Sequence, residues 1–229
     1  MPEWLVPSIG PTFAFLAGMT RLRTAALATV TLALALTSTG CNHSLAVSRP
    51  KDAKLDAAYT EVWTQEFYRE VQDGDIILRR GYAVLSDVIL LVTRSDMSHA
   101  GIYDAETDTV IDAVSSGVRA IPAAQFLGAS HRWRIVRPAG LTRDERHAAV
   151  ERARATIGTG FDFSGFIGLD DGDRFYCSEL VAWALEARDE VYADDVLVTP
   201  AELTALGPVV FDSGERGARP TASVDPYWR

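Results

Sequence analysis

The sequence predicts a mixed fold of helices and antiparallel strands, one domain set behind an export segment. Three stretches lead to it. Ser98–Tyr103 and Thr109–Val114 are β-prone runs joined by Asp104-Ala105-Glu106-Thr107-Asp108, the pattern of a hairpin. Leu141-Thr142 opens a helix reaching about Ile157, with Thr142 as cap and Glu145 placed to complete a capping box. Arg174–Tyr176 reads as extended and leads directly into a helix over Cys177–Ala187.

At 229 residues the chain has room for one domain with its own core and a tail. With 48% hydrophobic and 23% charged residues it has the balance of an ordinary globular protein. The formal charge is -9 and the lysines and arginines form no run. That argues against nucleic acid as a partner, because phosphate binding needs a basic footprint. The two cysteines, Cys41 and Cys177, are not expected to pair, since each has a separate explanation.

Met19–Cys41 has the layout of an export signal. Arg21 and Arg23 form its basic start and Ala25–Leu36 its apolar stretch, too short for a membrane span of about 20 residues. The small-residue run Thr37-Ser38-Thr39-Gly40 follows. The segment resembles a bacterial lipobox, in which the cysteine, here Cys41, carries lipid and becomes the mature N-terminus. It departs from that pattern at Ser38, where Leu is usual. Plain secretion and an uncleaved anchor are the alternatives. Residues before Met19 fit no signal pattern, which makes Met19 a candidate start. The expected location is the cell envelope, across the inner membrane and tethered through Cys41 at the periplasmic or outer-membrane face; the resemblance to Gram-negative lipoproteins implies that Asn42, in place of Asp, favours the outer membrane.

Residues 42–52 then form a tether, 53–211 the domain, and 212–229 a loose tail rich in Gly, Pro and Ser. Ala53–Val71 carries Leu55, Tyr59, Val62, Trp63, Phe67 and Val71 at helical spacing. Asp73-Gly74-Asp75 is a turn into a short buried strand, Ile76–Leu78, and Tyr82–Val92 is an apolar helix. After the hairpin come a strand at Val118–Ile121, a short helix at Pro122–Leu127 and a strand at Trp133–Val136. The capped helix ends at Gly158 and Gly160. Beyond the cysteine helix, Pro200–Leu206 is a short helix and Pro208–Phe211 a last strand.

The chemistry centres on Cys177. A cysteine on the first turn of a helix meets free N–H groups and the positive end of the helix dipole, which stabilise a thiolate and offer donors to an oxyanion. A buried structural cysteine is the competing reading. Among the histidines, His43 lies in the tether, His147 on a helix amid charges, and His131 on what reads as surface. His99, in Ser98-His99-Ala100-Gly101, is left as the base, although a lone histidine is more often structural. Asp112 sits in Val110-Ile111-Asp112-Ala113-Val114, the partner strand of the hairpin. With a two-residue turn the paired residue numbers add to an odd value, so His99 and Asp112 share a face, directly opposite or one diagonal apart. A carboxylate in an apolar strand needs a partner, and an imidazole would supply one; a solvent-facing edge Asp is the alternative. Tyr103 and Tyr176 are candidate oxyanion or substrate contacts, with simple packing the other reading for Tyr176. Glu179 reads best as a carboxylate complementing the helix dipole. Asp162, Asp170, Asp171 and Asp173 form an acidic loop, read as solvated in preference to an amine-binding surface.

Gly74-Asp75-Ile76-Ile77, Ser98-His99-Ala100-Gly101-Ile102 and Tyr176-Cys177-Ser178-Glu179-Leu180, in this order, resemble the permuted papain-like amidases, circularly permuted relatives of the NlpC-type cell-wall peptidases. The resemblance runs from about Gly74 to Leu206. It implies an α+β fold with an antiparallel sheet packed against the nucleophile helix. It also implies that Cys177 is the nucleophile, His99 the base and Asp112 the third polar residue, a position often held by Glu in close relatives. Thioester chemistry without metal or cofactor is also implied: Cys177 attacks a carbonyl, His99 moves the proton, and water or another nucleophile releases the acyl group. The expected substrate is a peptide or related amide, or an acyl group, of the cell envelope. A lipid-directed acyl hydrolase or acyltransferase, as in the related lecithin:retinol acyltransferase group, is a second reading. A non-catalytic binding lipoprotein is a third.

Overall fold

The computed structural model describes residues 47–82, 95–165, 172, 174–187 and 197–217. The export segment with Cys41, tether residues 42–46, the helix expected after Tyr82, Asp170, Asp171, Asp173 and the tail from 218 lie outside the described residues.

The elements run α1 (Ala53–Glu70), β1 (Ile76–Gly81), β2 (His99–Asp104), β3 (Thr109–Val114), β4 (Gly117–Pro122), α2 (Ala123–Gly128), β5 (Ser130–Val136), α3 (Arg143–Ala155), α4 (Cys177–Ala184), a 3-10 turn (Glu202–Leu206) and β6 (Val209–Asp212). The strands form one sheet in the order β4-β3-β2-β1-β5-β6, with every neighbouring pair antiparallel.

Alternation along the strands makes both faces of this sheet apolar. One face carries Ile76, Leu78, Ala100, Ile102, Ile111 and Val136, covered by Ala149 and Val150 of α3 and Leu180 and Val181 of α4. The other carries Ile77, Tyr103, Val110, Ile121, Trp133 and Ile135, covered by Trp63 and Phe67 of α1 and Phe126 and Leu127 of α2. Burying one such large side chain stabilises the fold by about 1.5–3 kcal/mol. The Phe67 ring meets those of Tyr103 and Trp133 edge-on at 5.2 and 5.6 Å.

The capped helix is as expected: the Glu145 N–H donates to the Thr142 hydroxyl, and the Glu145 carboxylate accepts from the Thr142 N–H. The turn before β1 is held by Asp75. It is fully buried, accepting from Arg137 Nε at 3.0 Å and Nη2 at 2.9 Å and from the Gln72 N–H at 2.8 Å. Gly74 is required there, because its φ is 76° and a Cβ would lie 2.6 Å from that of Arg146.

Three expectations need correction. The buried stripe of α1 is narrower than its apolar spacing predicted, since Leu55 and Val62 are exposed and only Trp63 and Phe67 are buried. His131 is buried beneath the edge of the Tyr82 ring, at 5.6 Å between centroids, and not on the surface. The chain does not loosen at Asp212. Arg132 and Arg134 grip the Asp212 carboxylate, and the Arg216 side chain is fully buried against α1. Its Nη1 donates to the Asp56 carbonyl at 2.8 Å and carboxylate at 2.9 Å, and its guanidinium lies 4.4 Å over Trp63. Composition marked residues 212–217 as tail, but pairing with β5, the Arg132 and Arg134 contacts to Asp212 and the buried Arg216 guanidinium secure them.

Candidate active site

Tyr176 has extended backbone, φ −94° and ψ 169°, and α4 begins at the next residue, Cys177. The first-turn amides of such a helix have no intrahelical acceptor. Glu179, almost fully buried, accepts the Tyr176 N–H at 3.3 Å, closing the helix entrance as its place in the first turn implied. The Ser178 hydroxyl donates to the Val198 carbonyl at 2.7 Å, and the Tyr176 hydroxyl accepts the Val198 N–H at 2.9 Å. Both bonds tie the helix start to the segment at 197–200. Cys177 is a free thiol, 6% exposed.

His99 begins β2 and shows 13% of its side chain to solvent. Its ring lies on the Phe126 ring of α2, 5.9 Å between centroids and 26° from parallel. Nε2 meets Asp112 Oδ2 at 2.8 Å, which leaves Nδ1 for the hydrogen bond between the imidazole and the Cys177 thiol. His99 and the residues packed on α4 belong to opposite faces of the sheet. They meet because this is where pairing stops: the β2–β3 register ends at Gly101↔Asp112, and the Ala100 N–H bonds the Cys177 sulfur.

The hairpin places Asp112 opposite Gly101 and therefore one diagonal from His99, on the same face as expected. The loop holds four residues between Asp104 and Thr109 instead of two, which preserves the parity. Gly101 has no side chain to fill the space between acid and imidazole, and a Cβ there would meet Val110 Cγ1 at 2.5 Å and the Ile111 carbonyl at 2.9 Å. Asp112 has no exposed surface. Its second partner is Arg119, directly opposite on β4, which donates from Nε to Oδ1 at 2.9 Å and from Nη2 to Oδ2 at 3.4 Å.

The charges reinforce one another. Burial by itself would push the His99 imidazole down, but the Cys177 sulfur and the Asp112 carboxylate hold it above its ordinary value. Burial would push the Cys177 thiol up, yet the adjacent His99, the Ala100 N–H and the Ser178 side chain bring it below its ordinary value. Asp112, despite its burial, is kept ionised by His99 and Arg119. The arrangement favours a thiolate–imidazolium pair backed by a carboxylate, at a helix N-terminus with amides available to an oxyanion.

Sequence reasoning passed over Arg119 and Arg79. A signal for Arg119 exists: Val114 and Gly117 close a turn over two serines, and that spacing sets Arg119 against Asp112. Arg79 pairs with His99 in the β1–β2 register, and its guanidinium lies 4.4 Å over the Phe126 ring. Tyr103 is not a contact of this site. Four residues along β2 from His99, its hydroxyl donates to Asp108 at 3.1 Å and its ring packs on Phe67. Tyr176 packs: it is 2% exposed, with its hydroxyl engaged at Val198. Asp162 is buried and caps its own loop, accepting the N–H groups of Ser164 and Gly165 at 2.8 and 2.9 Å. His147 pairs with Asp73 at the surface.

Residues 70–225 match the model of the permuted papain-like amidase enzymes, YaeF/YiiX, C92 family. The chain belongs to this family. Its α+β build, with an antiparallel sheet against the cysteine helix, is that of a papain-like amidase, and hydrolase is the activity the family carries. The chain is 32% identical over 120 residues to the uncharacterized protein YiiX of Escherichia coli strain K12; the match covers 50% of this chain and spans 57% of that protein's length. The crystal structure of a metalloprotein yiiX from Escherichia coli O157:H7 aligns with a TM-score of 0.49 at 22% identity, over 64% of this chain and 98% of that one. Among the described residues of this amidase-family chain, no group of three or more His, Cys, Asp or Glu side chains is placed to hold a metal ion.

Proposed function

We propose that this protein is a cysteine amidase of the cell envelope, cleaving cell-wall peptide or related amide bonds through an acyl-thioester on Cys177. The observation that carries the reading is the placement of one imidazole between a thiol and a buried carboxylate, with Nε2 2.8 Å from Asp112 Oδ2 and the opposite nitrogen turned to Cys177. In this reading the Cys177 thiolate attacks the amide carbonyl, forming the C–S bond. The first-turn amides of α4 receive the developing oxyanion. The His99 imidazolium gives its proton to the leaving amine, then takes one from water as water attacks the thioester. Asp112 keeps the imidazole turned correctly and stabilises its charge. The relation to NlpC-type peptidases and a lipid anchor at Cys41 belong to the same proposal, since both place the enzyme beside cell-wall peptide.

The test is a substrate panel with intact-mass detection. Muropeptides and phospholipids are each offered to the wild-type chain and to Cys177→Ala. A transient adduct on Cys177 and release of amine from muropeptides is the expected result. An acyl adduct from phospholipid alone would replace the amidase with a lipid-directed acyl hydrolase or acyltransferase. Cleavage that survives Cys177→Ala contradicts both.

A further inference from the structure

Two guanidinium groups flank the His99–Cys177 pair, and they differ in one respect. Arg119 is committed to Asp112. Arg79 has no carboxylate partner among the described residues. Its one hydrogen bond there runs from Nη1 to the Phe126 carbonyl, at 3.5 Å, and its Nε is shielded from solvent with no acceptor. Desolvation pushes the half-buried Arg79 guanidinium below its ordinary value, and the nearby Asp112 carboxylate and Cys177 sulfur offset this only in part, neither through a hydrogen bond, so a cation held there calls for a reason. The charges at the site make the same point. With the thiolate–imidazolium pair formed, Arg79, Arg119 and His99 are positive while Asp112 and Cys177 are negative. One positive charge is left over, within a chain whose formal charge is -9.

We propose that Arg79 receives a carboxylate of the substrate, next to the carbonyl that Cys177 attacks; this deepens the amidase reading and rests on it. Nη2 has no acceptor among the described residues and, unlike Nε, is not shielded from solvent. It can give a carboxylate a charge-assisted hydrogen bond, with the rest of the guanidinium charge close behind it. Phe126 fixes it from below, stacking under Arg79 at 4.4 Å and under His99 at 5.9 Å, so the carboxylate site and the base are held in one frame. The enzyme would then select amides whose acyl part bears a free carboxylate close to the scissile bond.

The test needs no knowledge of the natural substrate. The full-length chain is alkylated with iodoacetate and, separately, with iodoacetamide, and the rate at Cys177 is read from its own peptide. The two reagents have similar size, but one carries a carboxylate beside the reacting carbon. In the wild type, iodoacetate should gain on iodoacetamide by about tenfold relative to the unfolded chain, the scale of one nearby charge in a partly screened site. Arg79→Met should remove most of that gain while leaving the iodoacetamide rate within about threefold, and Arg79→Lys should retain part of it. A ratio unchanged by Arg79→Met overturns the proposal. Equal loss with both reagents also overturns it, because Arg79 would then act on the thiolate alone. If the variants do not fold, protection of the wild-type thiol decides: propionate should slow iodoacetamide where propionamide and methyl phosphate do not, and any other order overturns it. Failure of both reagents to outpace the unfolded chain, by contrast, removes the amidase reading itself.

Discussion

Asp112→Asn is the most informative single change, because Arg119 dictates how the new amide must sit. Arg119 Nε points a hydrogen at Oδ1 from 2.9 Å, so the amide oxygen has to occupy that position. The amide NH2 then faces His99 Nε2 in place of the carboxylate oxygen now 2.8 Å away. Nε2 must accept, the ring proton moves to Nδ1, and Nδ1 no longer takes the thiol proton. The lost charge-assisted hydrogen bond is worth about 1.5–3 kcal/mol, or about 10–100-fold in rate. For alkylation the loss is bounded by the thiolate fraction, about one part in 300 at pH 6 for a thiol returned to its free value of about 8.5. Labelling of Cys177 by iodoacetamide at pH 6 should fall on the order of 10²-fold, with circular dichroism unchanged. Adding Arg119→Met frees the amide to turn its oxygen to His99, and should return at least about tenfold. A single Asp112→Asn variant that labels at the wild-type rate would refute the assignment of Asp112 as the group that sets the imidazole.

Other consequences follow from the same contacts. The thiol is lowered and the imidazole raised, so iodoacetamide labelling should climb through a value below the free-thiol pKa of about 8.5, and amide hydrolysis should fall again as pH rises through the raised His99 value. The stability linkage has matching signs: the His99 contribution is complete below about 6.5 and lost as pH passes its raised value, while that of Cys177 disappears as pH falls through its lowered one. A labelling profile with a single step at the free-thiol value contradicts both shifts. Gly101→Ala forces a methyl to 2.5 Å from Val110 Cγ1 and should cost about 1–3 kcal/mol, roughly 2–12 °C in thermal midpoint; an unchanged midpoint contradicts the close approach. Arg216→Ala strips buried bonds from Asp56, Thr60 and Ser130 and should destabilise by about 2–4 kcal/mol in urea, with proteolysis beginning in the C-terminal segment; an unaltered urea midpoint removes its role as a fastener.

The elements were legible where local chemistry decides them. Thr142 and Glu145 announced a helix start, and hairpin parity set Asp112 on the face of His99. Register is less forgiving: the same parity holds for a directly opposed pair, and only the observed pairing shows the diagonal that makes Gly101 necessary. Tyr103 was misjudged because proximity in sequence to His99 says nothing about distance along an extended strand, where four residues span about 13 Å. Arg79 and Arg119 escaped notice because a charged residue in a strand reads as solvent-facing until its neighbours across the sheet are known. Arg216 escaped for a similar reason: its pairing with Asp56 joins residues far apart in the chain, and composition carries no trace of it.

The central assertion is that Cys177 is a nucleophile poised by His99, and its rate of alkylation tests this most directly. At pH 6 the iodoacetamide rate at Cys177 should exceed that of the same chain unfolded in denaturant, and His99→Ala should bring it down to that level or below. A native Cys177 that labels no faster than the unfolded thiol, or one indifferent to the loss of His99, would contradict it.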